Sequence, residues 1–310
     1  MGRIDGTKLK LDPLKRIEPH AMKRRCDSEV YLTLQYVMTK TLAFIERFNQ
    51  NLDEKERLKI FHVFLCALVR TCAHHPELNR FIAGRKYWQR NEILLSFVIK
   101  KELKYKSEET LTKVQFSPFE TLDTVRKKIY SCVNQARSDD GSEAQGQIDF
   151  FGKLPRFMLM FVTKMIEILE FFGSMPKGMV KTDPLYTSAV IANLGSVRIE
   201  GGVLHHSYMY GTASLFITIN RIHKAPVVDE KTEEIKVEDV IDFGFTIDER
   251  ISEGFSLGEV LQDFRRFIEN PELLTEIPLI PADRLEELQL KDLENDPLYK
   301  EYQEKMTSQK

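Results

Sequence analysis

The stretch FGFTIDERISEGFSLGEVLQDF, Phe243 to Phe264, carries an alternating apolar strand into a tight polar turn and then into a helical pattern. Side chains alternate faces along a strand and recur every three to four residues on a helix, so the change of period marks the turn at DERISEG. A turn at a strand's end can hold a catalytic side chain on a rigid frame. This one contains no His, Cys or Lys. Gly254 closes it, Ser256 is the expected helix N-cap, and Pro271 ends the helix. The segment has the form of an approach to an active site and lacks the usual reagents.

The remainder of the chain bounds what that site can serve. At 310 residues the length suits one large domain or two small ones, and 42% hydrophobic with 30% charged residues is an ordinary globular balance. A formal net charge of −2 argues against a general nucleic-acid or anionic-membrane surface, which needs an excess of Lys and Arg, but leaves room for local basic patches. Cys26, Cys66, Cys72 and Cys132 form no CxxC pair and read as free thiols. MGRIDGTKLK has neither an apolar signal region nor a myristoylation pattern. Apolar runs are broken by charges before membrane-spanning length. The expectation is a cytoplasmic protein without nucleic-acid or membrane partners.

Upstream, Val30, Leu32, Leu34 and Tyr36 alternate as a half-buried strand, and MTKTLAFIERFNQ turns helical. DEKERLKIFHVFLCALVRTCAHHPELN is the strongest helix, with Asp53 as expected cap and Pro76 as stop. His62 within it reads as a core histidine bonded to backbone, and His74 and His75 as cations favoured by the helix C-terminus. RFIAGRKYWQR is two short strands about a Gly84 turn; Ile93 onward and ETLTKVQF are strands. SPFETLDTVRKKIYSCVNQAR is a helix with Ser117, Pro118 and Glu120 as an expected capping box. PRFMLMFVTKMIEILEFFG is a third long apolar helix. LYTSAVIANLG, HHSYMYGTASLFITINRI and IKVEDVIDFGFTID are rich in strand formers, with PVVDEKTEEI a charged turn between two of them. Strands interspersed with helices imply a layered α/β sandwich with a mixed sheet.

VMTKTLAFIERFNQ, HPELNRFIAGRKYWQRNEILLSFVIKKE, ANLGSVRIEGG, YGTASLFITI and the Phe243–Phe264 unit together resemble one family. Over Arg25 to Asn270 the chain is similar to the catalytic domain of the 2-oxo acid dehydrogenase acyltransferases, which shares its fold with chloramphenicol acetyltransferase. The resemblance implies an α/β fold, a chloramphenicol acetyltransferase-like two-layer sandwich with a mixed sheet flanked by helices. It divides the chain into an N-terminal extension (1–24), the acyltransferase-like domain (25–270) and a charged C-terminal extension (271–310). It also implies a homotrimer or an assembly of trimers, with coenzyme A reaching a site between subunits. Too few residues precede Arg25 for lipoyl or subunit-binding domains, so a standalone relative is expected.

The family reaction moves an acyl group between a CoA thioester and a thiol or hydroxyl. The acceptor must lose a proton, for which a neutral imidazole is suited, and the developing oxyanion needs a donor. The family supplies a His-x-x-x-Asp-Gly motif, an arginine that pairs with the motif's Asp, and a hydroxyl residue just before Asn-Leu-Gly. Carried onto this sequence, the His position is Glu249, the Asp position Glu253, the arginine Arg25 and the hydroxyl position Ala192; Gly254 alone is unchanged. An exposed glutamate has a pKa of about 4.3, several units too low for a base toward a thiol or alcohol, and its charge opposes the oxyanion. His205 and His206 are alternative bases, against a structural or subunit-contact role. An Arg25–Glu253 bridge would preserve the turn's architecture without its reagent. No zinc spacing, GxGxxG or P-loop occurs, so no metal is expected. Two readings stand: an impaired member kept as scaffold, partner subunit or ligand-binding protein, and an active acyl-CoA-dependent enzyme with a rearranged base.

Overall fold

The computed structural model describes residues 3–100, 109–138, 152–229, 231–252 and 254–308. Its spine is β10 (Ile235–Asp248), which pairs antiparallel with β2 (Glu29–Val37), β8 (Leu215–Ile219) and β9 (His223–Val228). The sheet continues from β8 to β7 (Ala189–Asn193), β5 (Ile93–Lys100) and β6 (Glu109–Phe116), in the order β2-β10-β8-β7-β5-β6. β7 runs parallel to both neighbours, so the sheet is mixed.

Alternation assigns the two faces. Ile241, Phe243, Phe245 and Ile247 of β10 are buried in the main core with Leu215, Ile217 and Ile219 of β8. The helices α2 (Thr39–Phe48), α3 (Ile60–His74), α4 (Leu122–Ser138) and α7 (Gly254–Glu269) cover that face. Phe243 packs 5.2 Å from Tyr36, 5.1 Å from Phe64 and 5.9 Å from Phe264, centroid to centroid. Burying each such ring contributes roughly 1.5–3 kcal/mol. The other face presents Asp242, Gly244, Thr246, Phe216, Thr218 and Ala192, by the same alternation. At its β5–β6 end the short helix Lys177–Thr182 touches this face, where Lys113 Nζ donates to the Val180 carbonyl at 2.8 Å; over β2, β10 and β8 an irregular segment, residues 199–210, crosses it. Gly244 permits this crossing, since a Cβ would stand 2.2 Å from the Val203 carbonyl oxygen. One principal helical layer, α2, α3, α4 and α7, on one mixed sheet is the two-layer sandwich expected.

A smaller sheet joins β1 (Gly6–Lys8) to β4 (Lys86–Arg90) and β3 (Arg80–Ala83), and α1 (Pro13–Ala21) follows β1. After Pro271 the chain forms α8 (Ala282–Glu287) and α9 (Pro297–Ser308). It builds a second core in which Tyr302 stacks 4.5 Å from Phe119 and Leu288 is fully buried. Among the described residues, α5 (Arg156–Phe172) and α6 (Lys177–Thr182) precede β7.

Several expected boundaries are corrected. The strongest helix begins at Ile60, not after Asp53. Asn49 bonds both Leu58 N–H (2.7 Å) and Leu58 O (2.9 Å), which seats Leu58 in the core and holds the next backbone extended. His62 then caps the helix: its Nδ1 accepts from Lys59 N–H at 3.0 Å. The fourth helix starts at Leu122, because Phe119 is drawn into the tail's core and Thr121 with Thr124 forms the reciprocal cap. The last large helix starts at Gly254, so Ser256 lies inside it. HHSYMYG is irregular, and only Leu215–Ile219 of that segment is strand.

His62 also makes stability depend on pH. Burial, aided by Lys59 and Arg126, pushes its pKa down to about 4 in the folded chain, against 6.5 when unfolded. The unfolded state therefore binds the extra proton first. The stabilisation is complete above pH 6.5 and is lost as pH falls toward 4, by roughly 3 kcal/mol. Urea midpoints should fall across that window, and His62→Gln should flatten the fall.

Candidate active site

β10 ends at Asp248, and Glu249–Ile251 make one 3-10 turn before α7. Asp248 fixes the turn. Its carboxylate accepts from Arg250 Nε (2.7 Å), Nη2 (2.6 Å) and backbone N–H (3.3 Å). Arg250 Nη1 donates to the Met22 carbonyl at 2.8 Å. Both side chains are buried, at 0% and 3% exposure, which turns the intervening residue outward. Glu249 is exposed, and its N–H donates to the Ser28 carbonyl at 2.9 Å. The strand–turn–helix unit is intact, with a carboxylate where the family resemblance calls for an imidazole.

Beside Glu249 lies a polar cluster not singled out from the sequence. Glu29 stands opposite Asp248 in the ladder. Its carboxylate accepts from Ser207 N–H at 2.8 Å, from the Ser207 hydroxyl and from the Tyr31 hydroxyl. Partial burial opposes its charge, but these bonds outweigh it and hold the Glu29 carboxyl below its usual range. Cys26 Sγ lies 3.5 Å from the Ser207 carbonyl. The one available signal was the position of Glu29 at the strand's first residue. Its partners are 178 residues away, so nothing local announces them.

The two histidines fall in the same region. His206 Nδ1 lies 3.0 Å from the Ser207 carbonyl, and His205 Nδ1 lies 2.6 Å from the His206 carbonyl. A carbonyl can only accept, so each Nδ1 carries the proton and each Nε2 is left as the basic nitrogen. His205 is half-buried, stacked 5.7 Å from Phe216 on the sheet's open face; His206 is exposed and acts electrostatically on Glu29.

Arg25 is buried beneath this cluster. Burial pulls its pKa down, and the nearby Asp248 charge opposes that. Its Nη1 donates to the Tyr208 carbonyl (2.6 Å) and its Nη2 to the Gly211 carbonyl (3.0 Å). Arg25 thus ties the Ser207–Gly211 segment to the base of the turn. Glu253, the expected partner of Arg25, lies outside the described residues.

Ala192 is elsewhere. It pairs with Thr218, one strand from Gly244, and Glu249 is five residues beyond Gly244. At about 3.3 Å per residue and 4.8 Å per strand, that is about 16 Å along the sheet and about 10 Å across it. One chain cannot bring these two positions to one carbonyl. Near the middle of the open face, Thr246 Oγ1 is buried with no hydrogen-bond partner among the described residues. Among those residues no cluster of three or more His, Cys, Asp or Glu is placed to hold a metal, and no helix is long and apolar enough to cross a membrane.

A two-layer mixed-sheet sandwich with a strand–turn–helix at the end of its longest strand is the chloramphenicol acetyltransferase-like fold. Residues 187–276 match the family model for 2-oxoacid dehydrogenases acyltransferase (catalytic domain), a span that holds Ala192, both histidines and the Glu249 turn. A probable dihydrolipoamide acetyltransferase from Listeria monocytogenes 4b F2365 superposes with a TM-score of 0.53 at 15% identity, covering 89% of this chain and 98% of that one. Chloramphenicol acetyltransferase gives 0.55 at 12% identity, covering 84% and 100%. The dihydrolipoamide acetyltransferase of Azotobacter vinelandii gives 0.54 at 12% identity, covering 86% and 94%. At these identities the likeness is one of fold. No curated protein matches the sequence.

Proposed function

We propose that this chain descends from the CoA-dependent acyltransferases, is catalytically impaired, and serves as an oligomeric scaffold that presents a ligand-binding face. The observation that carries this reading is the turn. Asp248, Arg250 and Arg25 preserve its architecture in a buried network, while Glu249 occupies the exposed position where the acceptor's base belongs. A carboxylate there is a weak base and repels the developing oxyanion, and Ala192 offers no hydroxyl to bind it. The separation of Ala192 from Glu249 supports a site shared between copies, as the family resemblance implies. The exposed Val203, Leu204, Tyr208 and Met209 beside it would be covered by a neighbouring subunit. Static light scattering should give three times the chain mass of 36.2 kDa, or a multiple of that trimer. A stable monomer would overturn the scaffold.

One observation favours a second reading, an active enzyme. His205 and His206 both have Nδ1 against a carbonyl, the tautomer in which Nε2 acts as a base. In that case His206, the exposed one of the two, replaces the missing imidazole, and an acyl-CoA supplies the group transferred. Turnover abolished by His206→Ala and retained by Glu249→Ala would establish it.

A further inference from the structure

The most apolar helix of the second half of the chain is not in the core. No residue of α5 is buried. Phe157, Phe161, Met165, Ile168 and Phe172, spaced by four, four, three and four, form one stripe along about 25 Å of helix. Their exposures are 72%, 66%, 40%, 45% and 65%. Yet the helix is firmly seated on its other side. Ile166 and Leu169 pack on Met175, Val180 and Tyr186. Glu170 accepts from Arg3 Nη1 at 2.6 Å and from the Tyr186 hydroxyl at 2.8 Å. Gly84, at φ 57°, lies so close under the helix end that a Cβ would stand 2.1 Å from the Phe171 carbonyl oxygen. The stripe is held outward by design of the packing beneath it.

Charge indicates what covers it. Lys153 and Arg156 stand at the N-terminal end of the stripe. At the other end stands Arg85 of the hairpin, its guanidinium 5.8 Å from the Phe171 ring centroid, with Lys86 next to it in sequence. The helix's own acids are both neutralised, Glu167 by Lys164 and Glu170 by Arg3. An apolar stripe with cations at both ends is complementary to an anionic bilayer: rings enter the acyl boundary and cations meet headgroups. It does not suit a second copy of itself, because parallel and antiparallel pairing alike would bring cationic ends together. The chain's net charge of −2 conceals this patch by averaging over the whole surface.

We propose that α5 docks the protein in the plane of an anionic phospholipid surface, without spanning it. This goes beyond the acyltransferase reading and does not rest on it. The test is flotation of the full chain with phosphatidylglycerol–phosphatidylcholine vesicles and with pure phosphatidylcholine vesicles. The chain should float with the anionic vesicles, with at least ~10-fold less bound to neutral ones, and added salt should release it. Phe157→Ser/Phe161→Ser/Phe172→Ser should lose at least ~10-fold of the bound fraction while keeping the wild-type melting temperature and mass. Lys153→Glu/Arg156→Glu should also lose binding with the apolar stripe untouched. No flotation by the wild type, or equal flotation by the triple variant, overturns the proposal. A triple variant that changes mass while the wild type fails to float would identify the stripe as a contact between protein chains, which also overturns it.

Discussion

Arg250→Met is expected to lower the unfolding free energy by roughly 3–5 kcal/mol, a large share of a domain's whole stability. Asp248 is fully buried and takes three of its hydrogen bonds from Arg250. Methionine would fill the space and leave the carboxylate with one backbone N–H from its own turn. The Met22 carbonyl would lose its donor as well. Arg25 lies near enough to act on Asp248, but its terminal nitrogens are committed to Tyr208 and Gly211. Asp248→Asn/Arg250→Met should cost less than Arg250→Met plus Asp248→Asn, because removing both charges leaves neither stranded. Urea unfolding of the three variants measures this coupling. Additive losses would mean that the pair does not hold the turn.

Glu249→His alone is expected to leave acyl transfer within about tenfold of the wild type, although it restores the residue type the chemistry needs. A positioned base contributes about 10²–10⁴-fold and an oxyanion donor about 10²–10³-fold, and each depends on the other's alignment. The imidazole would stand on an intact turn. Ala192 would still lack a hydroxyl, and residue 253 would still be a glutamate. Glu249→His/Ala192→Ser/Glu253→Asp should exceed Glu249→His by at least ~100-fold, read as thiol release from acetyl-CoA with dihydrolipoamide as acceptor. A single substitution that performed as well as the triple would show that Glu249 is the sole deficit.

Much of this arrangement was legible because local pattern and burial agree. Phe243, Phe245 and Ile247 alternate in sequence and share one buried face in the sheet. The change of period at DERISEG marks the turn that is observed. Helix starts depart from the sequence pattern where a distant contact overrides a local cap. Ser117 Oγ still accepts from Phe119 N–H at 3.1 Å, but with the Phe119 ring in the core built by Tyr299 and Tyr302 the helix waits for the Thr121–Thr124 cap, and Asn49 delays the helix that Asp53 would have begun. The site was legible as a departure from a motif, not as an arrangement. In sequence Asp248 and Arg250 are two charges of a polar turn with nothing to mark them as partners, and only the fold shows them buried against each other. Glu29 and Ser207 meet because β2 borders β10 while residues 199–210 cross the sheet's open face, a juxtaposition without local periodicity. The α5 stripe shows the reverse case. Its apolar period is plain, but whether such a helix is buried depends on what packs around it.

Acyl transfer by the wild-type chain separates an impaired site from a working one. The direct measurement is thiol release from acetyl-CoA by the purified protein, with dihydrolipoamide and with chloramphenicol as acceptors, beside Glu249→Gln. Rates indistinguishable from the enzyme-free background, and unchanged by the substitution, are the predicted result. Sustained turnover by the wild type that Glu249→Gln abolishes would contradict it and make the exposed carboxylate a working base.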